Sequence, residues 1–288
     1  MRLKDIDPLS PIGMALQFQV SQLRKRRRQK RIRPQKQPLT IERRYEAATR
    51  DLVGESEGII RAGVFPELSD LERRAADGDS SWPAAVAAMF AAAGLLWSER
   101  AEAAGVISEV AASEVSAFNR VEIGRQMRAI TGLDLTTGGQ KTPSLIAAFV
   151  EEANPRIKGL GDQQISEIRG IVTRGMQSGR RAASIEGEIR ERFAINKQRA
   201  TFIARNELGT LNGQLTRNRQ MDLGIGQYIW RTSRDERVRP THARLENTMQ
   251  SWDNPPPVGG GRHLHPGEDF NCRCTAEPVI PGLTLQPT

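Results

Sequence analysis

Apolar residues recur at helical spacing through most of this chain, and the pattern changes only after Gly224-Ile225-Gly226. Ile107, Ala111, Val115, Phe118 and Val121 follow at steps of 4, 4, 3 and 3, which predicts one apolar face on a helix reaching about Ile130. Ile165, Ile168, Val172 and Met176 mark a second helix ending near Gly179. Ile185, Ile189 and Phe193 mark a short helix capped by Ser184, and Ala200, Ala204, Leu208, Leu211 and Leu215 a longer one beginning after Asn196. Pro83 and the pair Thr142-Pro143 suit the first turn of a helix. The Ala-rich run from Pro83 to about Ala104 is apolar nearly all round as far as Ser98, as expected of a helix buried in a bundle or in an oligomer contact. Between Thr40 and Ala76 a helical alternation is interrupted at Gly54, Gly58, Gly63 and Pro66, and Asn154-Pro155 with Gly159 and Gly161 punctuates the chain again. These stripes describe a helical core and no cofactor site; a Gly-rich phosphate loop and a repeat of fixed period are both absent from the sequence. Gln227–Thr232 then has β propensity and predicts a strand entering a terminal module.

Charge sits mostly in one place. The net charge is +8, and Arg24, Lys25, Arg26, Arg27, Arg28, Lys30, Arg31 and Arg33 supply eight positive charges with no negative one among them. The remainder is near neutral. With Pro8, Pro11, Pro34 and Pro38 around it, this run forms a basic arm over residues 1–38, flexible or ordered only on a partner. It is either a solvated tail or a contact for a polyanion, which it would hold through phosphate neutralisation without reading sequence. The two cysteines, two residues apart, do not suit a disulfide with each other, so reduced thiols are expected. The longest apolar run, Ala84 to Trp97, is 14 residues, short of the roughly 20 needed to span a bilayer. At the N-terminus the charges follow the weak apolar stretch Ile12–Leu23, the reverse of a signal peptide. A soluble protein with no membrane contact is the expectation.

The terminal module concentrates the chemistry. All three histidines (His242, His263 and His265) and both cysteines (Cys272 and Cys274) fall between residues 242 and 274. On an extended segment Cys272 and Cys274 share a face, and two imidazoles would complete a tetrahedral zinc site; His242 with His263 or His265 could supply them. A small module with long Pro/Gly loops would gain from such a staple. The other reading makes the cysteines small buried hydrophobes and pairs His242 with Asp235 in a folded turn. Asp235, Arg237 and Arg239 form a buried polar network or present charge to a partner. Trp230 and Trp252 are the expected core anchors.

The order Trp230-x-Thr232-x-x-Asp235-x-Arg237-Val238-Arg239-x-x-His242, a Pro/Gly-rich loop, Pro266-Gly267 and Cys272-Arg273-Cys274 resembles the phage Mu protein F-like minor head proteins, also described as phage head morphogenesis proteins. Arg205-Asn206-Glu207 resembles the Arg-Thr-Glu on the helix preceding that module, with Asn206 in place of Thr. Leu245-Glu246-Asn247 stands where the family has Leu-Asp-Gly, and Asn247 can take the left-handed conformation that Gly would supply. The resemblance covers about residues 160–280. It implies a virion component of a tailed phage head, assembled in the host cytoplasm, placed near the portal, and contacting portal protein, other head proteins and packaged double-stranded DNA. The fold expected is mainly α with a small α+β C-terminal module: an extended basic arm (1–38), a helical domain (39–158), a Mu F-like domain (159–280, with helices over 160–222 and the module over 227–280) and a tail (281–288). The competing function is a metal-dependent nuclease or related hydrolase, with His242, His263, His265, Asp235 and Asn271 around a catalytic ion. Glu268 and Asp269 lie in a Gly/Pro loop without a recognisable nuclease signature.

Overall fold

A computed structural model of the chain describes residues 32–135, 139–281 and 283–284. Among the described residues six α-helices come first: α1 (Leu39–Gly63), α2 (Leu68–Ala76), α3 (Trp82–Ala101), α4 (Ala103–Thr131), α5 (Thr142–Gln177) and α6 (Ala182–Asp222). The small strands β1 (Gln227–Arg231), β2 (Met249–Ser251), β3 (Pro257–Gly259), β4 (Arg262–His263) and β5 (Thr275–Pro278) follow, with the one-turn helix α7 (Pro240–Ala243) after β1. The chain is mainly α with a small α+β region at its C-terminal end. Among the described residues no helix is long and apolar enough to cross a membrane.

Two compact units divide the chain, and neither is a continuous segment. One comprises Glu42–Val110 and Val150–Arg205, and the other Met1–Ile41, Ala111–Phe149 and Asn206–Thr288. In the first, wholly helical unit, Val53, Leu160 and Ala200 form a buried cluster. Trp97 is fully buried, and its indole N–H donates to the Lys158 carbonyl at 3.1 Å. Gly161 makes that seat: a Cβ there would lie 2.1 Å from the indole ring. Arg205, on α6, pairs with Glu42 at 3.2 Å and Glu46 at 2.9 Å on α1.

Several helix expectations change. α1 runs unbroken through Gly54 and Gly58, because burial of Tyr45, Leu52, Val53 and Ile60 outweighs the roughly 1 kcal/mol that each glycine costs a helix relative to alanine. α5 likewise continues through Pro155; the carbonyl that Pro155 leaves unpaired belongs to the exposed Glu151, where water can satisfy it. The two helices expected on either side of Asn196 are one. Ile185, Ile189, Phe193, Asn196, Ala200 and Ala204 are all buried at steps of 4, 4, 3, 4 and 4, so Asn196 continues the stripe. On α4 the buried face turns through Asn119, Ile123 and Met127 to Ile130, leaving Val121 65% exposed. α3 buries only Val86, Phe90, Ala93, Trp97 and Ala101. Its other side, with Leu95 72% and Leu96 52% exposed, is not covered by the described residues, so of the two expectations burial within the bundle does not hold for that side.

The second unit holds the sheet. β1 is its central strand, antiparallel to β2 (Tyr228 opposite Gln250) and to β5 (Trp230 opposite Ala276), and β3 pairs with β4 as a separate hairpin. Ile32, Ile123, Met127, Ile130, Leu223, Ile225 and Ile280 form one buried cluster, and Tyr228, Trp230, Trp252, Val258, Cys272, Cys274 and Ala276 another. Trp230 and Trp252 are the core anchors their size suggested. Beside them runs a buried polar row: Asn119 donates to Asn212 and Thr216, Gln35 donates to Thr216 at 3.0 Å, and Arg219 donates to Asn119 and Ser116.

Residues 32–38 belong to this unit, and the expectation of a flexible arm as far as residue 38 does not hold for them. Ile32 and Gln35 are buried. The Lys36 backbone N–H donates to Glu122 at 3.1 Å, Arg125 donates to the Pro34 carbonyl at 3.1 Å, and Gln37 donates to the Arg273 carbonyl at 3.1 Å. Arg24, Lys25, Arg26, Arg27, Arg28, Lys30 and Arg31 lie outside the described residues; Arg33 is described and exposed.

Burial alone would raise the Glu122 pKa, but Arg125 and the Lys36 N–H outweigh it and hold the carboxyl below its ordinary value. A depressed pKa contributes stability that is present above the unfolded-state value, about 4.3, and is lost as pH falls through the folded-state value. Lowering the pH from 7 to 3 should therefore lower the melting temperature less in Glu122→Gln than in the parent chain. Equal acid shifts in thermal melts would show that this carboxylate does not hold the segment.

Candidate functional site

The Cys/His region is assembled by β1, α7 and the segment leading into β5. Tyr228 and Trp230 alternate with Ile229 along β1, and both rings enter the buried cluster of the module. The chain then leaves the sheet through an exposed turn in which Asp235 Oδ1 accepts the Arg237 backbone N–H at 3.0 Å. Pro240 opens α7, whose single turn carries His242 inward to 2% exposure. Asn247 closes the excursion with φ of 65°, the left-handed conformation anticipated for it, and its N–H donates to the Trp230 carbonyl at 2.9 Å. The chain thereby returns beside β1 in register to form β2.

His242 meets both cysteines. Its Nδ1 lies 3.5 Å from Cys272 Sγ and 3.6 Å from Cys274 Sγ. Its Nε2 faces Asp269 Oδ2 at 3.0 Å. Cys272 and Cys274 are both buried, and the Trp230 ring packs edge-on against His242 with centroids 5.5 Å apart. The two sulfurs shift one another in opposite directions: the hydrogen bond from Cys274 pulls the Cys272 thiol down to about 5, and the same neighbour pushes Cys274 up. The hydrogen bond to Cys272 raises the His242 pKa, with Asp269 acting in the same direction.

Asp269 is fully buried and well compensated. Arg262 binds it directly, Arg239 approaches at 3.6 Å, and the Phe270 N–H donates to it at 2.9 Å. Burial opposes its ionisation, yet these contacts leave its pKa below the ordinary carboxylate value. The sequence placed Asp269 in a Gly/Pro loop and gave no hint that it would partner His242; only the fold brings positions 242 and 269 together. Asp235, by contrast, is exposed and does not pair with His242. Asp235 and Arg237 form no buried network, since both face solvent, whereas Arg239 also donates to the Phe270 carbonyl at 2.6 Å.

The other histidines are elsewhere. His263 is exposed on the β4 edge. His265 is buried, but its Nδ1 is engaged by the Tyr228 hydroxyl at 2.9 Å and its ring packs against Trp252; burial lowers its pKa. Among the described residues, His242, Cys272 and Cys274 form the one group of three or more His, Cys, Asp or Glu side chains whose ligand atoms converge as a metal would need. The nuclease constellation of three histidines, Asp235 and Asn271 is not brought together.

Pro266-Gly267 acts through backbone. Gly267 has φ of 90°, and a Cβ on it would meet Gly209 O at 3.1 Å and Gly213 Cα at 3.3 Å; a Cβ on Gly213 would meet Pro266 O at 2.7 Å. The loop therefore rests directly on the α6 backbone. Apolar periodicity does not point to Gly209 and Gly213, although two glycines four apart share one face of a helix and are the readable signal of such an approach. One turn earlier, Asn206 Oδ1 accepts the Asn271 N–H at 2.8 Å. Within the Arg205-Asn206-Glu207 motif, Asn206 thus holds the turn just before Cys272. Glu207 is buried beside it.

A helical chain ending in a small sheet module, with a buried imidazole-dithiol cluster seated on the last long helix, is the class of protein these features define. Residues 166–277 match the sequence model of a family described as Phage Mu protein F like protein. The resemblance to that family seen in the sequence is thus supported over those residues. It is also 31% identical over 186 residues to an uncharacterized protein of Haemophilus influenzae, an alignment covering 64% of this chain and 41% of the relative. The chain thus spans less than half the length of that relative. No solved structure matches it significantly.

Gly213→Ala should force the Pro266-Gly267 loop off α6. An overpacking cost of about 1–3 kcal/mol should appear as a lowered thermal midpoint in calorimetry. Gly187→Ala, at a helical position with open space around the added methyl, should leave the midpoint unchanged or raise it. A Gly213→Ala variant as stable as the parent would refute the backbone contact.

Proposed function

We propose that this protein is a minor head protein of a tailed bacteriophage, acting in head morphogenesis near the portal and contacting portal protein and packaged double-stranded DNA. The observation that carries this reading is the Phage Mu protein F like match over residues 166–277, which takes in the end of α5, all of α6 and the terminal module. The helical body and the eight-charge arm fit the role. Such an arm supplies affinity for duplex DNA through counterion release and needs no groove reading.

The His242 cluster fits this role better than a hydrolase. His242, Cys272 and Cys274 are each at most 7% exposed, too deep for a DNA strand to touch directly, and the histidines a catalytic ion would recruit point to different places. The nuclease reading would be restored by divalent-metal-dependent cleavage of duplex or single-stranded DNA by the purified chain.

Two measurements test the proposal. Co-expression with the portal protein of the same phage should yield a complex that survives gel filtration, and the protein should be present in purified heads. Its absence from heads would overturn the assignment. Removal of residues 24–31, which keeps the buried Ile32, should abolish salt-sensitive retention on duplex DNA. If the seven charges removed all engage phosphates, the slope of log affinity against log salt should fall by about 6; an unchanged slope would remove the arm from DNA contact.

A further inference from the structure

We propose that His242, Cys272 and Cys274 bind one zinc ion, with Asp269 as the carboxylate that orients the imidazole. The inference does not depend on the role in head assembly.

Geometry carries it. Tetrahedral coordination, with zinc bonded to sulfur at about 2.3 Å and to nitrogen at about 2.0–2.1 Å, sets each nitrogen–sulfur edge near 3.5–3.6 Å. His242 Nδ1 stands 3.5 and 3.6 Å from the two sulfurs, and all three ligand atoms lie within 4.8 Å of one another. The second ring nitrogen is committed elsewhere. Nε2 donates to Asp269 at 3.0 Å, which fixes the tautomer with Nδ1 as the free lone pair, the arrangement that metal-bound histidines adopt with a carboxylate behind them. Arg262 and Arg239 hold Asp269 in place and compensate its charge. Two soft thiolates and one imidazole favour zinc over the oxygen-seeking divalent cations.

A cysteine nucleophile activated by histidine is the rival reading of the same atoms. It uses one sulfur, whereas here two stand at equal distance from Nδ1, and both are buried. A zinc ion uses both. It also meets a structural need, since the strands of the module are only two to five residues long and a metal staple adds folding free energy that so small a core lacks. Cys272 and Cys274 line a hollow together with Gly209, Gly213, Pro266 and Gly267, which leaves a place for a fourth ligand such as water.

The full chain, purified after refolding with zinc and dialysed, should contain about one zinc per chain by elemental analysis. Cobalt(II) in its place should give a thiolate-to-cobalt charge-transfer band and the strong visible absorption of a tetrahedral site. His242→Ala and Cys274→Ser should lose the metal, and His263→Ala should keep it. Asp269→Asn should keep it with affinity weakened by about 10–100-fold. Because the ligand variants can fail to fold, the parent chain is also titrated with an organomercurial, which should release one zinc as two thiols react. A parent chain without zinc and without the cobalt–thiolate band overturns the site, as does a His263→Ala variant that loses the metal. Unchanged affinity in Asp269→Asn overturns the orienting role.

Discussion

Backbone rests on backbone where the Pro266-Gly267 loop crosses α6, and the terminal module depends on that contact. A side chain at Gly213 or Gly267 would push the loop outward. Asp269 and Asn271 follow within a few residues, so such a shift would part Asp269 from His242 and Asn271 from Asn206. The module has little else to fall back on: its sheet has three short strands, and its apolar cluster counts the two cysteines among its members. Precision comes from absent side chains on one helix, and the imidazole-dithiol cluster inherits it.

Local features were legible in the sequence because local chemistry fixes them. The strand at Gln227, the helix starts near Pro83 and Thr142, the left-handed Asn247 and the two tryptophan anchors each follow from a few neighbouring residues. Continuity of the helices was not legible. Glycine, proline and asparagine at 54, 58, 155 and 196 read as breaks, yet tertiary burial held α1, α5 and α6 together across them. Val121 lies off the face predicted for it for a related reason: the true face of α4 includes Asn119 and Gln126, polar residues that a search for apolar periodicity passes over.

At the site, residue types were more legible than partners. The cysteine pair and His242 stood out by composition, but three histidines in one window offered several ligand sets, and only the hairpin geometry that exposes His263 and the hydroxyl that engages His265 separates them. Asp269 could not be found by spacing, since its link to His242 closes across 27 residues of turns, one short strand and a hairpin.

The discontinuity of the two units sets an order of events during synthesis. The first unit is complete once Arg205 has been made. The second requires Trp230 to pair with Ala276 and Ile32 to pack with Ile280, so its earliest residues must wait for nearly the whole chain to leave the ribosome. Domains generally fold as units as they emerge, and contacts that close long loops form slowly. The helical unit should therefore be protected from proteases in nascent chains, while residues 32–41 and α4 beyond Ala111 stay open until the cysteine segment arrives.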